Sequence, residues 1–134
     1  MFRPPWLPVL IVACTPLACG GGADSAGNRL EAGHALTLES AHGYTTGEIQ
    51  ASGRIAQGSN TFDVTFDPTS TELVGANAFM PVHGHGTARA TVTQVPGGYR
   101  VENVILSMPG LWDVTLDVRV EGHTDALEFT VDVP

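Results

Sequence analysis

The chain of 134 residues contains no lysine, and its six basic residues, all arginines, face 14 acids. The basic footprint that phosphate binding needs is missing, which excludes nucleic acid as a partner and disfavours an anionic membrane face. A formal charge of −8 instead gathers cations near the surface, weakly at physiological salt. Cysteine is confined to Cys14 and Cys19. The body of the chain therefore has no disulfide and no thiolate metal centre, and any metal must be held by His, Met or carboxylate. No segment carries the 3.6-residue period with caps that marks an amphipathic helix, and no internal repeat is present. Nucleophilic catalysis lacks its parts: there is no Gly-x-Ser-x-Gly elbow, no thiol in the fold, and nothing places a base beside Ser107. Asp113 and Asp117 flank Thr115 on the polar face of one strand, a solvated face rather than a general acid/base pair. Asp63, Asp67 and Glu72 do not make the twelve-residue calcium pattern. The expectation is a protein that is not an enzyme.

What is present begins with an export signal over residues 1–18. Arg3 supplies the positive n-region, and Pro8-Val-Leu-Ile-Val-Ala-Cys14 through Leu17-Ala-Cys19 is apolar, ends on small residues and is too short to span a membrane as a helix. A cysteine at the cleavage point reads as a lipoprotein signal. Ile11-Val-Ala-Cys14 has the better upstream residues but makes a very short signal. Pro16-Leu-Ala-Cys19 is followed by Gly20-Gly-Gly-Ala-Asp-Ser, a tether-like run, so Cys19 is favoured for lipidation, with Cys14 the alternative and a plain secretory signal the other reading. Residues 19–33, rich in Gly, Ala and polar side chains, read as a flexible tether. Residues 34–134 form one domain of ordinary size.

From residue 34 the apolar period is two. Phe62, Val64 and Phe66 alternate with Asp63 and Thr65. Trp112, Val114, Leu116, Val118 and Val120 alternate with Asp113, Thr115, Asp117, Arg119 and Glu121. Leu127, Phe129, Val131 and Val133 do the same, as do Ala88, Ala90 and Val92. Tyr99 to Leu106 is a further strand whose phase slips near Asn103, which predicts a bulge. Leu73–Met80 and Ile49–Ile55 are weaker strands, and Leu36-Thr-Leu another. Turn signals at Gln57-Gly, Asp67-Pro, Pro96-Gly-Gly, Pro109-Gly and Glu121-Gly separate them. About seven short strands with one apolar face each predict an all-β, Ig-like antiparallel sandwich without the Cys–Trp–Cys signature of true Ig domains.

The stretch that points to chemistry is Met80-Pro-Val-His-Gly-His-Gly86, followed by Met108-Pro-Gly-Leu-Trp112. Thioether and imidazole together suit copper, especially Cu(I). His83 and His85 lie two apart, so in an extended segment their rings point the same way. Met80 is within reach if Pro81 turns the chain, and the turn after Met108 can bring it to the same end of the sandwich. The candidate metal ligands are thus Met80, His83, His85 and Met108, with His34, His42 and His123 as further candidates. The competing reading keeps the His pair as loop decoration and both Met residues in the core, Met108 packing on Trp112. Trp112 itself reads as a core anchor before a cation–π wall or sugar platform. A cupin, which also uses His-x-His, needs a Glu soon after the second His; Gly86-Thr-Ala-Arg-Ala90 has none.

The order of these motifs resembles a known family. A strand of type Gly58-Ser-Asn-Thr-Phe-Asp-Val-Thr-Phe comes first. One ending in Met-Pro-x-His-Gly-His-Gly follows, and then a Gly-Gly-Tyr turn leads to Val-Ile-Leu-Ser-Met-Pro-Gly-x-Trp. Over roughly residues 58–120 the chain is similar to the YtkA-like domain, a relative of FixH-type proteins. The resemblance implies an Ig-like sandwich outside the cytoplasmic membrane, in a family associated with copper or cation handling. FixH-type proteins carry a transmembrane anchor, whereas a lipid anchor is expected here. Two functions are carried forward: a lipid-anchored protein that carries or buffers copper, and a metal-free module that docks an envelope protein.

Overall fold

The computed structural model describes residues 28–134. The signal, both cysteines and most of the tether lie outside the described residues. Ten strands form two five-stranded sheets and no α-helix is present among the described residues. The strands are β1 (Arg29–Leu30), β2 (Leu36–Glu39), β3 (Thr46–Ala51), β4 (Gly58–Asp67), β5 (Glu72–Met80), β6 (His85–Gly86), β7 (Thr91–Val95), β8 (Gly98–Leu106), β9 (Gly110–Val120) and β10 (His123–Val133). One sheet has the order β1-β10-β9-β5-β6, the other β2-β3-β4-β8-β7. The run β3-β4-β8-β7 against β10-β9-β5 is the A-B-E-D and G-F-C arrangement of an Ig-like sandwich.

The two-residue alternation does what a half-wet sheet requires. Phe62, Val64, Val101, Trp112, Val114, Leu116, Val118, Phe129 and Val131 are all at most 1% exposed, and their neighbours along each strand face outward. Phe62 of one sheet meets Phe129 of the other edge to face, with ring centroids 5.8 Å apart. Gly47 has no room for a side chain: a Cβ there would come within 2.8 Å of a Leu127 methyl and 3.3 Å of the Phe66 ring.

The bulge expected near Asn103 is present. Asn60 pairs with Val104 but Phe62 pairs with Val101, so β8 carries the extra residue, and Asn103 has φ of 58°. Glu121 and Gly122 join β9 to β10 in a two-residue turn with φ of 50° and 82°, both positive as a type I′ hairpin demands.

The count is ten where about seven were expected: eight runs carry a sequence pattern, and β1 and β6, two residues long, are below the reach of any periodicity. Three boundaries also move. Folded structure starts before residue 34: β1 pairs in parallel with β10 and Leu30 is 1% exposed, so Arg29 and Leu30 are held on the sheet. A single apolar residue in a Gly- and Ala-rich run gives no pattern, which is why it read as linker. The strand expected to include Ala88 and Ala90 begins at Thr91, because residues 87–90 run beside β5, where the amide of Ala90 donates to Ala76 O. The strand expected over Ile49–Ile55 is shifted to Thr46–Ala51, with Ile55 buried beyond its end.

Candidate functional site

Strand direction sorts the loops onto two ends. Gly58 pairs with Leu106, Met80 with His85, and Val133 with Gly110. Residues 31–35, 52–57, 81–84 and 107–109 therefore share one end, and residues 40–45, 68–71, 96–97 and 121–122 the other.

The His-Gly-His segment forms the β5–β6 hairpin at the first end. Pro81 turns the chain, the amide of His83 donates to Met80 O at 3.3 Å, and β6 returns along β5. Gly84 lies in the turn with φ of 65°. His83 and His85 are both exposed, and their rings stand side by side with centroids 6.2 Å apart and planes tilted by 32°.

The Met108-Pro-Gly turn lies at the same end. Trp112, 0% exposed, donates its indole N–H to Met108 O at 3.0 Å and so fixes the turn from beneath. This is a core-anchor role for Trp112. Met108 is half-buried and packs against the core. Met80 is 2% exposed, and its methyl would lie 3.2 Å from a Cβ on Gly110. The fold thus brings both Met residues and both His residues to one end, the imidazoles in solvent and the Met80 thioether turned inward. Three apolar side chains are exposed beside the hairpin or on the adjoining strands: Phe79, Val82 and Leu111.

His34 is exposed in the loop at this end. His42 and His123 are at the opposite end, on either side of Tyr44 in the order of ring contacts. Sequence reasoning missed Asp125, whose side chain is 0% exposed and lies 2.9 Å from His42 Nδ1. The signal was available: Asp125 occupies the same phase of β10 as Leu127, Phe129 and Val131, an acid at an inward position. Burial by itself would raise its pKa. Hydrogen bonds from the Ser40 hydroxyl, the His42 ring, and the Ala126 and His42 amides outweigh this and hold the carboxyl well below the usual range. Among the described residues no three of His, Cys, Asp and Glu group as a ready ligand set. No helix among them is long and apolar enough to cross a membrane.

A family model described as YtkA-like matches residues 41–117, more than half of the chain. No curated protein and no solved structure gives a significant match. The chain belongs to the YtkA-like family, which is generally extracytoplasmic.

Proposed function

We propose that this member of the YtkA-like family is a lipid-anchored protein that binds copper at the His83/His85 end of the sandwich and carries or buffers the ion. The observation that carries the reading is the exposed imidazole pair with centroids 6.2 Å apart. Two imidazoles sharing one ion at about 2.0 Å per nitrogen have centroids roughly 5–6 Å apart, so a small rotation closes the pair on a metal. Met80 and Met108 supply the soft donors, and the thioether of Met80 enters by turning out of the core. Thioethers bind Cu(I) without losing a proton, which suits a labile carrier site. Under this reading the ion is cargo.

The test is a Cu(I) competition titration of metal-free protein beside the His83→Ala/His85→Ala variant. One-to-one binding that weakens at least a hundredfold in the variant supports the reading; equal binding in both rejects it. Anchoring through Cys19 is checked separately, since Cys19→Ser should move the protein from the membrane to the soluble fraction.

One observation favours the metal-free alternative. Phe79, Val82 and Leu111 are 45, 82 and 41% exposed on or beside the hairpin, apolar side chains that an envelope protein would cover. Under that reading Val82→Asp abolishes partner capture and the His variants do not.

A further inference from the structure

Arginine is scarce in this chain, and two of its six copies are closed onto acids. Arg100 Nε lies 3.1 Å from Asp63 Oδ1, and Arg119 Nη1 lies 3.4 Å from Glu72 Oε2. Arg29 and Arg54 are placed differently. Together with Glu31 and Asp132 they line a cavity of about 290 Å³ at the hairpin end, on the β1 edge of its sheet rather than the β6 edge.

The topology makes this cavity. β1 pairs in parallel with β10, Arg29 beside Thr130 and Leu30 beside Val131, so Glu31 leaves the sheet level with Asp132. Arg54 arrives from the other sheet, in the loop between β3 and β4. Leu30 and Ile55, 1% and 9% exposed, supply the apolar part of the lining. Two guanidiniums and two carboxylates thus surround one space, yet none of the four closes on another: among the described residues no ion pair includes any of them. Arg29 Nε is, among the described residues, the one buried side-chain nitrogen or oxygen without a hydrogen-bond partner. A buried donor left without an acceptor is costly, and a bound ion, ligand or water is the usual remedy.

The balance of charge defines the ligand. A simple anion is attracted by Arg29 and Arg54 but repelled by Glu31 and Asp132, and a simple cation meets the reverse. A molecule carrying both charges satisfies all four. The volume is at the lower limit for small-molecule pockets, roughly 300–1,000 Å³, so the ligand is small.

We infer that this cavity binds a small zwitterion, in which a carboxylate or phosphate is joined to an ammonium by a short carbon chain. The oxyanion sits on the guanidinium forks, whose paired N–H donors match it, and gives Arg29 Nε its acceptor. The ammonium sits against Glu31 and Asp132, and the carbon chain lies on Leu30 and Ile55. A free amino acid and the phosphoethanolamine headgroup of a lipid both carry this chemistry. The site shares no residue with the His83/His85 hairpin and does not depend on copper binding there.

The experiment is a calorimetric titration of the full chain in non-ionic detergent at pH 7. The probes are glycine and O-phosphoethanolamine, with acetate, inorganic phosphate and ethylammonium as the corresponding halves. At least one zwitterion should bind at least tenfold more tightly than either of its halves. Tighter glycine binding identifies a free amino acid as the source, and tighter phosphoethanolamine binding a lipid headgroup. Arg54→Gln and Asp132→Asn, both at exposed positions, should each weaken that binding at least tenfold with an unchanged near-UV circular dichroism spectrum. His83→Ala/His85→Ala should leave it unchanged. Acetate or phosphate binding as tightly as the zwitterions, no zwitterion binding at all, or full binding in both single variants overturns the inference.

Discussion

Replacing Asp125 tests the structural logic of the far end most directly. Its carboxylate accepts the amides of His42 and Ala126, the His42 ring and the Ser40 hydroxyl. A hydrogen bond to a charged group contributes about 1.5–3 kcal/mol, and a buried donor left without a partner costs about 1–3 kcal/mol. The exposed His42 ring recovers water as a partner, so its loss adds little. The remaining three donors share one acceptor and do not add, which places Asp125→Ala near ~3 kcal/mol and Asp125→Asn, with one oxygen kept, near ~2 kcal/mol. For a domain of this size ~3 kcal/mol corresponds to roughly 12–24 °C in Tm. The pH dependence has a definite sign. Because hydrogen bonding holds the folded-state pKa below its unfolded value, the unfolded chain takes up the proton first as pH falls. The stabilisation is complete above the ordinary carboxylate pKa of about 4 and is lost as pH drops from there through the lower folded value. Urea melts of wild type and Asp125→Asn at pH 7 and pH 3 should show a gap of ~2 kcal/mol that narrows at the lower pH, with equal m values. A gap below about 0.5 kcal/mol at pH 7, within the range of ordinary surface changes, would refute the role of Asp125 in holding residues 40–45, as would a gap that widens in acid.

Other consequences are simpler to state. Trp112→Phe removes buried volume and the bond to Met108 O, so it should lower stability by about 2–3 kcal/mol in a denaturant melt. Gly47→Ala places a methyl 2.8 Å from the Leu127 side chain and should destabilise by about 1–3 kcal/mol, whereas Gly53→Ala, with nothing within 4 Å but φ of 103°, tests backbone strain without a clash. Met80→Leu keeps the core volume, so thermal stability should change by less than about 1.5 kcal/mol; Cu(I) affinity should nevertheless drop about tenfold if its sulfur is a donor, and unchanged affinity would remove Met80 from the ligand set.

The sandwich was legible because burial on one face writes a period of two into the chain. Trp112 to Val120 and Leu127 to Val133 show it without interruption, and the slip at Asn103 marked a true bulge. What could not be seen were elements fixed by pairing alone. Two-residue strands such as β1 and β6 have no period, and Leu30 is buried through its parallel pairing with β10 rather than through any local pattern. The hairpin site was half legible. His83 and His85 are two apart in sequence and stay side by side in space, whereas the inward turn of Met80 follows from the packing of β5 on the start of β9, a contact between residues thirty apart. His42 and His123 were singled out separately as surface histidines. Their common neighbour Tyr44 and the buried Asp125 emerge only when the topology closes.

That closure also separates two kinds of chemistry. The long strands cross the sandwich, so the direction of each one sets the end at which the loop after it falls. Met80 ends β5 and Met108 follows β8, both of which run toward the hairpin end, while His42 follows β2 and His123 opens β10 after β9, and β2 and β9 run away from it. Soft sulfur is therefore available at one end and absent from the loops at the other. A strand advances about 3.3 Å per residue, so β10 alone holds the two ends roughly 30 Å apart. Sites that far apart with no shared partner act additively within about 0.3–0.5 kcal/mol. Variants at His42 or Asp125 should then leave Cu(I) affinity at His83 and His85 unchanged. A larger mutual effect would mean that the core between the sheets transmits metal binding from one end to the other, which a rigid, close-packed sandwich with fully buried Phe62, Trp112 and Phe129 gives no physical route to do.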